Sequence, residues 1–260
     1  MKILNRLMLF FAVCLMGHSY SQDNLTFLKI DEDSTYVLDK DTLILDEFVM
    51  QDNSELILTK NNHYIKVKTV RFGKNCRITG VGDKGRNGYN GRSAHSPQGI
   101  CRNGFHGLDG DNGSNGSDGK NLMIIANTGI FQDTLSVNLN GGDGGYGGNG
   151  GAGSSGSKNT AHCKSHGGNG GKGGRGGNGG NGGNLTIFIF SMEKMKLLSL
   201  IHLSNRGGYR GLGGEGGKRG YRGIGPSESI SLNGITGSPG KDGSNGISGK
   251  PMFYSISSEP

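Results

Sequence analysis

The apolar positions of this chain fall into two registers that hardly mix. Over residues 25–81 they alternate with polar ones in short β-branched runs, "TYVLDKDTLILDEFVM", "SELILTK", "YIKVKTVRFG" and "CRITGVG", separated by Asp, Asn and Gly. Alternation with period two sends successive side chains to opposite faces of a strand. No 3.6-residue stripe competes with it, so an all-β segment is predicted, either a small β-sandwich or the rungs of a β-solenoid. Two later stretches, "NLMIIANTGIFQDTLSVNLN" (121–140) and "NLTIFIFSMEKMKLLSLIHLSN" (184–205), both open on Asn-Leu-x-Ile and close on an alternating run ending in Asn. They predict further strands, and "KPMFYSIS" predicts the opening of another. Essentially no α-helix is expected.

From residue 82 the period changes to three. Glycines fall at 82, 85, 88 and 91, then from 104 to 119, as doublets from 141 to 151, singly to 156, again as doublets from 167 to 183, mixed from 207 to 223, and singly from 234 to 249. The repeat unit is therefore strand, turn, strand, glycine arm, tip, glycine arm, giving six arms in all. A three-residue period with glycine on one edge fits an extended left-handed helix rising ~3.1 Å per residue, which makes no internal hydrogen bonds. Collagen-like triple helices need abundant proline and long Gly-X-Y runs, and only five prolines are present. A floppy linker needs neither equal arm lengths nor strands that resume in phase. A packed bundle of polyglycine-II helices needs both, because bare edges let backbones approach one another. One bare edge in G-x-x and two in G-G-x then track the number of neighbours, placing the arms at 141–156 and 167–183 innermost and those at 82–119 and 234–249 outside. On this reading Asn169, Lys172, Arg175, Asn178 and Asn181 point to water, and a sixteen-residue arm spans ~50 Å.

Composition adds a compartment. The opening "MKILNRLMLFFAVCLMGHSYSQ" has Lys2 and Arg6 ahead of an apolar run too short to anchor in a bilayer, with Ser19 and Ser21 suited to cleavage before Gln22. It predicts a signal peptide (1–21) and export to the cell surface or beyond, with at most a peripheral membrane association. A rival reading makes Cys14 a lipoprotein cysteine, against which Val13 stands where a small residue is needed. The predicted organisation continues with a β-strand domain (22–81), the glycine-rich bundle with its interleaved strands (82–249) and a C-terminal strand and tail (250–260). Glycine supplies 53 of 260 residues and tryptophan none, so side chains can build a conventional core from only part of the chain. Without the leader, 26 basic residues stand against 21 acidic ones, and the acidic ones crowd residues 22–62.

Cys76, Cys101 and Cys163 remain in the exported chain, where pairing is expected. If every hairpin leaves the strands on the same side, the tips at 92–103 and 157–166 coincide. Cys101 and Cys163 then pair, leaving Cys76 buried and free. His95, Phe105, His106, His162, Lys164 and His166 collect in or beside the tips, and with Tyr146 they are the candidate partner contacts. "AHCKSH" lacks the paired spacings of a zinc site, and no metal or cofactor is expected. Arg206, Arg210, Lys218, Arg219 and Arg222 make the third hairpin basic, a candidate patch for an anionic partner or simply a solubilising surface. Nucleic acid does not fit an exported chain.

The glycine arms and the two cysteines together resemble the springtail glycine-rich antifreeze proteins. Alternation of such arms with variable tips resembles the receptor-binding adhesins at the ends of some phage tail fibres. That resemblance implies a rigid sandwich of glycine helices whose loops contact a host surface. The strand-plus-glycine repeat is also similar to glycine-rich β-solenoids of bacterial surface proteins. These likenesses cover 82–249. No Gly-x-Ser-x-Gly, nucleotide-binding loop or His-Glu-x-x-His is present, so no enzyme is expected. The function expected is a non-enzymatic adhesion or binding protein recognising a glycan or surface protein. The alternatives are a structural spacer in an outer-membrane or extracellular assembly, or an ice-binding protein, whose flat array of small side chains the mixed Lys, Arg, Asp and Tyr positions match poorly.

Overall fold

The computed structural model describes residues 26–226 and 231–254. The leader, Cys14 and the first four residues of "SESISLN" (227–233) lie outside them; residues 231–233 belong to no strand. Eleven strands are present: β1 (Phe27–Ile30), β2 (Thr35–Leu38), β3 (Thr42–Met50), β4 (Glu55–Leu58), β5 (Asn62–Phe72), β6 (Arg77–Thr79), β7 (Asn121–Phe131), β8 (Leu135–Asn138), β9 (Leu185–Ile189), β10 (Ile201–Ser204) and β11 (Pro251–Tyr254). Odd strands form one sheet in the order β1-β3-β5-β7-β9-β11, and even strands a second in the order β10-β8-β6-β4-β2. Every pairing within both sheets is parallel. The chain thus winds as a coil, each turn adding one strand to each sheet. The strands before residue 81 and those between the arms belong to the same two sheets.

Local chemistry sets the corners. Asp33, Asn53 and Asn75 hold φ near +55° at equivalent places in successive turns, a conformation Asn and Asp tolerate better than most residues. Their side chains stack: Asn53 Nδ2 donates to Asp33 Oδ1 (3.0 Å) and Asn75 Nδ2 to Asn53 Oδ1 (3.1 Å). Between the sheets lies a core that includes Phe48, Leu56, Ile65, Ile78, Ile124, Leu135 and Leu185. Burial changes phase along β3, β5 and β7, because the pairing steps over Asp46, Lys68 and Asn127. Leu43 and Leu45 therefore share the core with Phe48 and Met50, a two-part alternation that a single flat strand would not produce.

One expectation is corrected here. Within the strand-like stretch 184–205, the residues "KMKLLS" form a short helix, α1 (Lys194–Ser199). Lys, Met and Leu are good helix formers, and this corner is longer than the three- and four-residue corners of the earlier turns. Leu197 anchors the helix in the core with no exposed surface.

The glycine arms occupy 82–91 (arm 1), 104–119 (arm 2), 141–156 (arm 3), 167–183 (arm 4), 207–223 (arm 5) and 234–249 (arm 6). Each pair leaves the coil at one corner, between an even strand and the next odd one. Arms and strands share a register. Asn62 pairs with Asn121 across 59 residues, and the Tyr146 amide bonds Asn87 Oδ1 across the same 59. The next turns keep 63 and 66 residues in both places. The arms therefore prolong the stacking of the sheets, with the amides of one arm donating to carbonyls of its neighbours. Gly144 N–H donates to Tyr209 O (2.8 Å) and Gly145 N–H to Ser114 O (2.9 Å).

The glycine pattern follows from this lattice by one rule. The first glycine of a doublet faces the next arm, and the second faces the arm two before it. A Cβ on Gly144 would collide with Gly177 O of arm 4, and one on Gly145 with Arg86 O of arm 1. Arms 1 and 2 have no arm two before them, and arm 6 has none after it; each carries one glycine per triplet. Arms 3 and 4 have both neighbours and carry two. They are the innermost, each hydrogen-bonding with four other arms. Arm 5 should carry two throughout but has Arg210, Arg219 and Arg222 at first positions; Arg210 pairs with Asp242 of arm 6 at 3.4 Å, and no contact in the structure explains the other two.

The polar third position does more than face water, which corrects a second expectation. Asn169 Oδ1 accepts the Ile235 amide (2.9 Å), Asn178 Oδ1 that of Ser244 (2.9 Å) and Asn181 Oδ1 that of Ile247 (3.1 Å). A backbone with no internal hydrogen bonds must satisfy every amide elsewhere, and these carbonyl ends supply acceptors one coil away.

Two outcomes test this account. Gly145→Ala lowers stability by about 3 kcal/mol or more, whereas Arg86→Ala, on the same edge one coil earlier with nothing behind it, stays within about 0.5 kcal/mol, as read by denaturant unfolding. The second concerns His63, which is buried, donates through Nδ1 to Lys40 O (2.8 Å) and accepts the Lys60 amide at Nε2 (3.0 Å). Burial holds its pKa below the ordinary 6.5. The unfolded chain therefore takes up a proton first as pH falls, so this stabilisation is complete above about pH 6.5 and is lost below it. Melting temperatures of wild type and His63→Gln measured between pH 8 and pH 5 should converge toward the acid end.

Candidate functional site

No enclosed constellation of nucleophile, base and oxyanion donors is found among the described residues. The outer face of the odd-strand sheet has a shallow depression lined by Ile44, Tyr64, Lys66, Ile125 and Phe190, and its Lys68 and Asp46 pair with each other at 2.7 Å. Cys76 is free and buried, its Sγ 3.2 Å from Gln51 O, and burial pushes its thiol pKa up, which keeps it protonated and unreactive. No group of three His, Cys, Asp or Glu side chains is placed to hold a metal ion among the described residues.

The tips are more organised. Cys101 and Cys163 form a disulfide joining the first hairpin to the second across a sequence separation of 62. Beneath it lies a buried polar knot. Asn159 Nδ2 donates to Gly223 O (2.9 Å) and Ser231 Oγ (3.0 Å), while its Oδ1 accepts from the Ser165 amide and hydroxyl, both at 2.8 Å. Ser165 has no exposed surface and Asn159 is 3% exposed, so this knot links the second and third hairpins by satisfied buried hydrogen bonds, as the disulfide links the first and second. A half-satisfied network would be worse than none, which makes the tip a rigid element.

The anticipated contact residues divide. His95, Phe105, His162 and Lys164 are exposed at or beside the tips. His106 and His166 take the place that Asn fills elsewhere in the third-position ladder: His106 Nδ1 accepts the Asn169 amide (2.7 Å) and His166 Nδ1 the Leu232 amide (3.0 Å). Tyr146 stands at a third position along arm 3, half-exposed, with Lys84 Nζ 5.9 Å from its ring centre. The basic residues of arm 5 also separate. Arg206 and Lys218 occupy third positions, whereas Arg210, Arg219 and Arg222 occupy first positions toward arm 6, where Arg210 meets Asp242 at 3.4 Å. They line two edges of one arm, not one patch.

Sequence reasoning did not single out the open edge of the first hairpin. The second positions of arms 1 and 2 correspond, one coil later, to glycines whose Cβ atoms would strike the arm behind them. With no earlier arm present, these positions carry Tyr89 (82% exposed), Phe105 (59%) and Leu108 (61%). The signal was present in the sequence, since the first doublet-free arms mark the lattice edge, but reading it needs the direction of each glycine edge.

Comparisons with protein-family models, curated proteins and solved structures give no match.

Removing the Cys101–Cys163 bridge tests how much the tip depends on it. Replacing both cysteines by serine lowers unfolding stability by about 4 kcal/mol, the cost expected for a loop of this length. Reductant reproduces the loss in wild type and leaves the double variant unchanged.

Proposed function

We propose that this protein is a secreted, non-enzymatic surface-binding protein. A β-solenoid base carries six polyglycine-II helices, and their tied tips present loops to a glycan or a surface protein. The observation that carries the reading is the investment at the tips. A disulfide, a buried Asn159–Ser165–Ser231 knot and a backbone lattice hold exposed residues in place far from the side-chain core. Pre-organised display of this kind lowers the ordering cost of binding. The disulfide fits an oxidising compartment, and among the described residues no helix is long and apolar enough to cross a membrane. The β-solenoid and polyglycine-II descriptions are supported by parallel strands that alternate between two sheets and by amide-to-carbonyl pairing at every third residue.

A test uses the tagged, disulfide-intact mature chain on cells or envelopes of its own source. Alanine at Phe105, His162 and Lys164 together, with melting temperature unchanged, reduces retention on that surface about tenfold. Undiminished retention would sink the display reading and leave the arms as a spacer.

A further inference from the structure

The open edge of the first hairpin has a defined composition that changes along its length. Arms 1 and 2 run side by side there, with Leu108 N–H donating to Arg92 O (3.0 Å) and Asp111 N–H to Tyr89 O (2.8 Å). Near the base the edge closes on itself, because Ser117 Oγ accepts the Asp83 amide (2.6 Å) and Ser114 Oγ the Arg86 amide (2.7 Å). Toward the tip such caps stop. Tyr89, Arg92 and His95 follow one another at every third residue of the outgoing chain, opposite Leu108, Phe105 and Arg102 on the returning one. All six are exposed. The register explains the direction of four of them, Tyr89, Arg92, Phe105 and Leu108. Gly148 and Gly151 stand 59 residues after Tyr89 and Arg92, and Gly168 and Gly171 stand 63 after Phe105 and Leu108. A Cβ on each of these glycines would run into the backbone oxygen of its counterpart, so the same edge one coil earlier points into open space. The preceding turns of the coil carry no arms, since β2 joins β3 and β4 joins β5 through three residues each.

Resting on the surface-binding reading, we propose that this edge binds an acidic polysaccharide. Two guanidinium groups, Arg92 and Arg102, offer paired donors to carboxylate or sulfate, while Asp111 lies further toward the base, opposite Tyr89. Tyr89 and Phe105 offer flat apolar faces to sugar rings. Side chains on one edge recur about every 9 Å, a spacing that suits an extended polymer lying along the arms more than a compact ligand in a cavity. The floor beneath them is hydrogen-bonded backbone, so little ordering remains to be done when a chain settles on it.

Calorimetric titration of the mature, disulfide-intact protein tests this, with soluble polygalacturonate as probe and dextran as the uncharged control. Polygalacturonate binds and dextran does not, and added salt weakens the binding. Arg92→Gln with Arg102→Gln lowers affinity about tenfold, and Tyr89→Ala lowers it by about the same, both with unchanged melting temperature. Equal binding of dextran, or affinity untouched by these variants, overturns the assignment. So does a dimer in sedimentation that Tyr89→Ala dissolves, which would give the edge to a second copy of the chain. If the protein holds to its native surface yet ignores polygalacturonate, this inference falls while the surface-binding reading stands; if it holds to neither, both fall.

Discussion

The structure depends on an amide-to-carbonyl hydrogen bond made at a distance that only glycine permits. Side chains ordinarily keep backbones apart, and regular pairing inside a sheet or helix works around them. Here the arms lie close enough that a single Cβ would occupy the position of a neighbour's carbonyl oxygen, at almost every glycine from 82 to 249. Glycine loses more conformational freedom on folding than any other residue, so an arm standing alone would not order. The compensation is collective. Arms 3 and 4 each bond with four others, and removing one arm would orphan the donors and acceptors of all of them. The interior of this half of the molecule is main chain packed against main chain, with hydrogen filling the role that methyl groups fill in the sheet core.

Two interiors of different chemistry must therefore keep step. The side-chain core between the sheets fixes the rung spacing through parallel strand pairing, and the arms inherit it, which is why separations of 59, 63 and 66 residues recur in both. The step from 59 to 63 is taken up at the tip between arms 3 and 4, and the step from 63 to 66 at the corner that holds α1, so that strands and arms stay in phase while these connections vary. Nucleation follows from the same logic. Strand pairs in the first coils close over about twenty residues, whereas an arm has no structure to adopt until its neighbours, about sixty residues away, exist.

Much of this is legible in the sequence. Period-two runs gave the strands, the glycine doublets gave the innermost arms, and the position of Cys101 and Cys163 at adjacent tips gave their bridge. What escaped had physical causes. Lys194–Ser199 was read as strand because it sits between alternating runs, and six residues are too few to show a helical stripe. The ladder of Asn, Asp and His side chains was taken for a solvated edge, because a polar residue at a regular interval looks the same whether it meets water or an amide in the next coil. Phe105 stands out as an aromatic beside a tip, but Tyr89 and Leu108 look like ordinary variation at x positions until the direction of each glycine edge is known.

The two ends of the arm stack show how such a lattice is brought to a stop. In the first two arm layers, third positions supply acceptors that reach forward: Asp143 to the Tyr209 amide, Asn149 to that of Glu215, Asn181 to that of Ile247. In the last layer the equivalent residues include Leu212, Lys218, Ile235, Lys241 and Ile247, none of which has an acceptor to offer an amide ahead. Arm 6 instead turns Asn233, Asp242 and Asn245 back to accept the amides of Arg222, Gly213 and Arg210 in arm 5. A further coil stacked in register would meet bulky side chains where it needs acceptors. This is the management of an exposed edge familiar from β-sheets, carried out on glycine arms. Because the forward end is closed in this way, stacking of copies end to end does not extend the lattice, and the exposed side chains of the tips and of the first hairpin's open edge stand outside it.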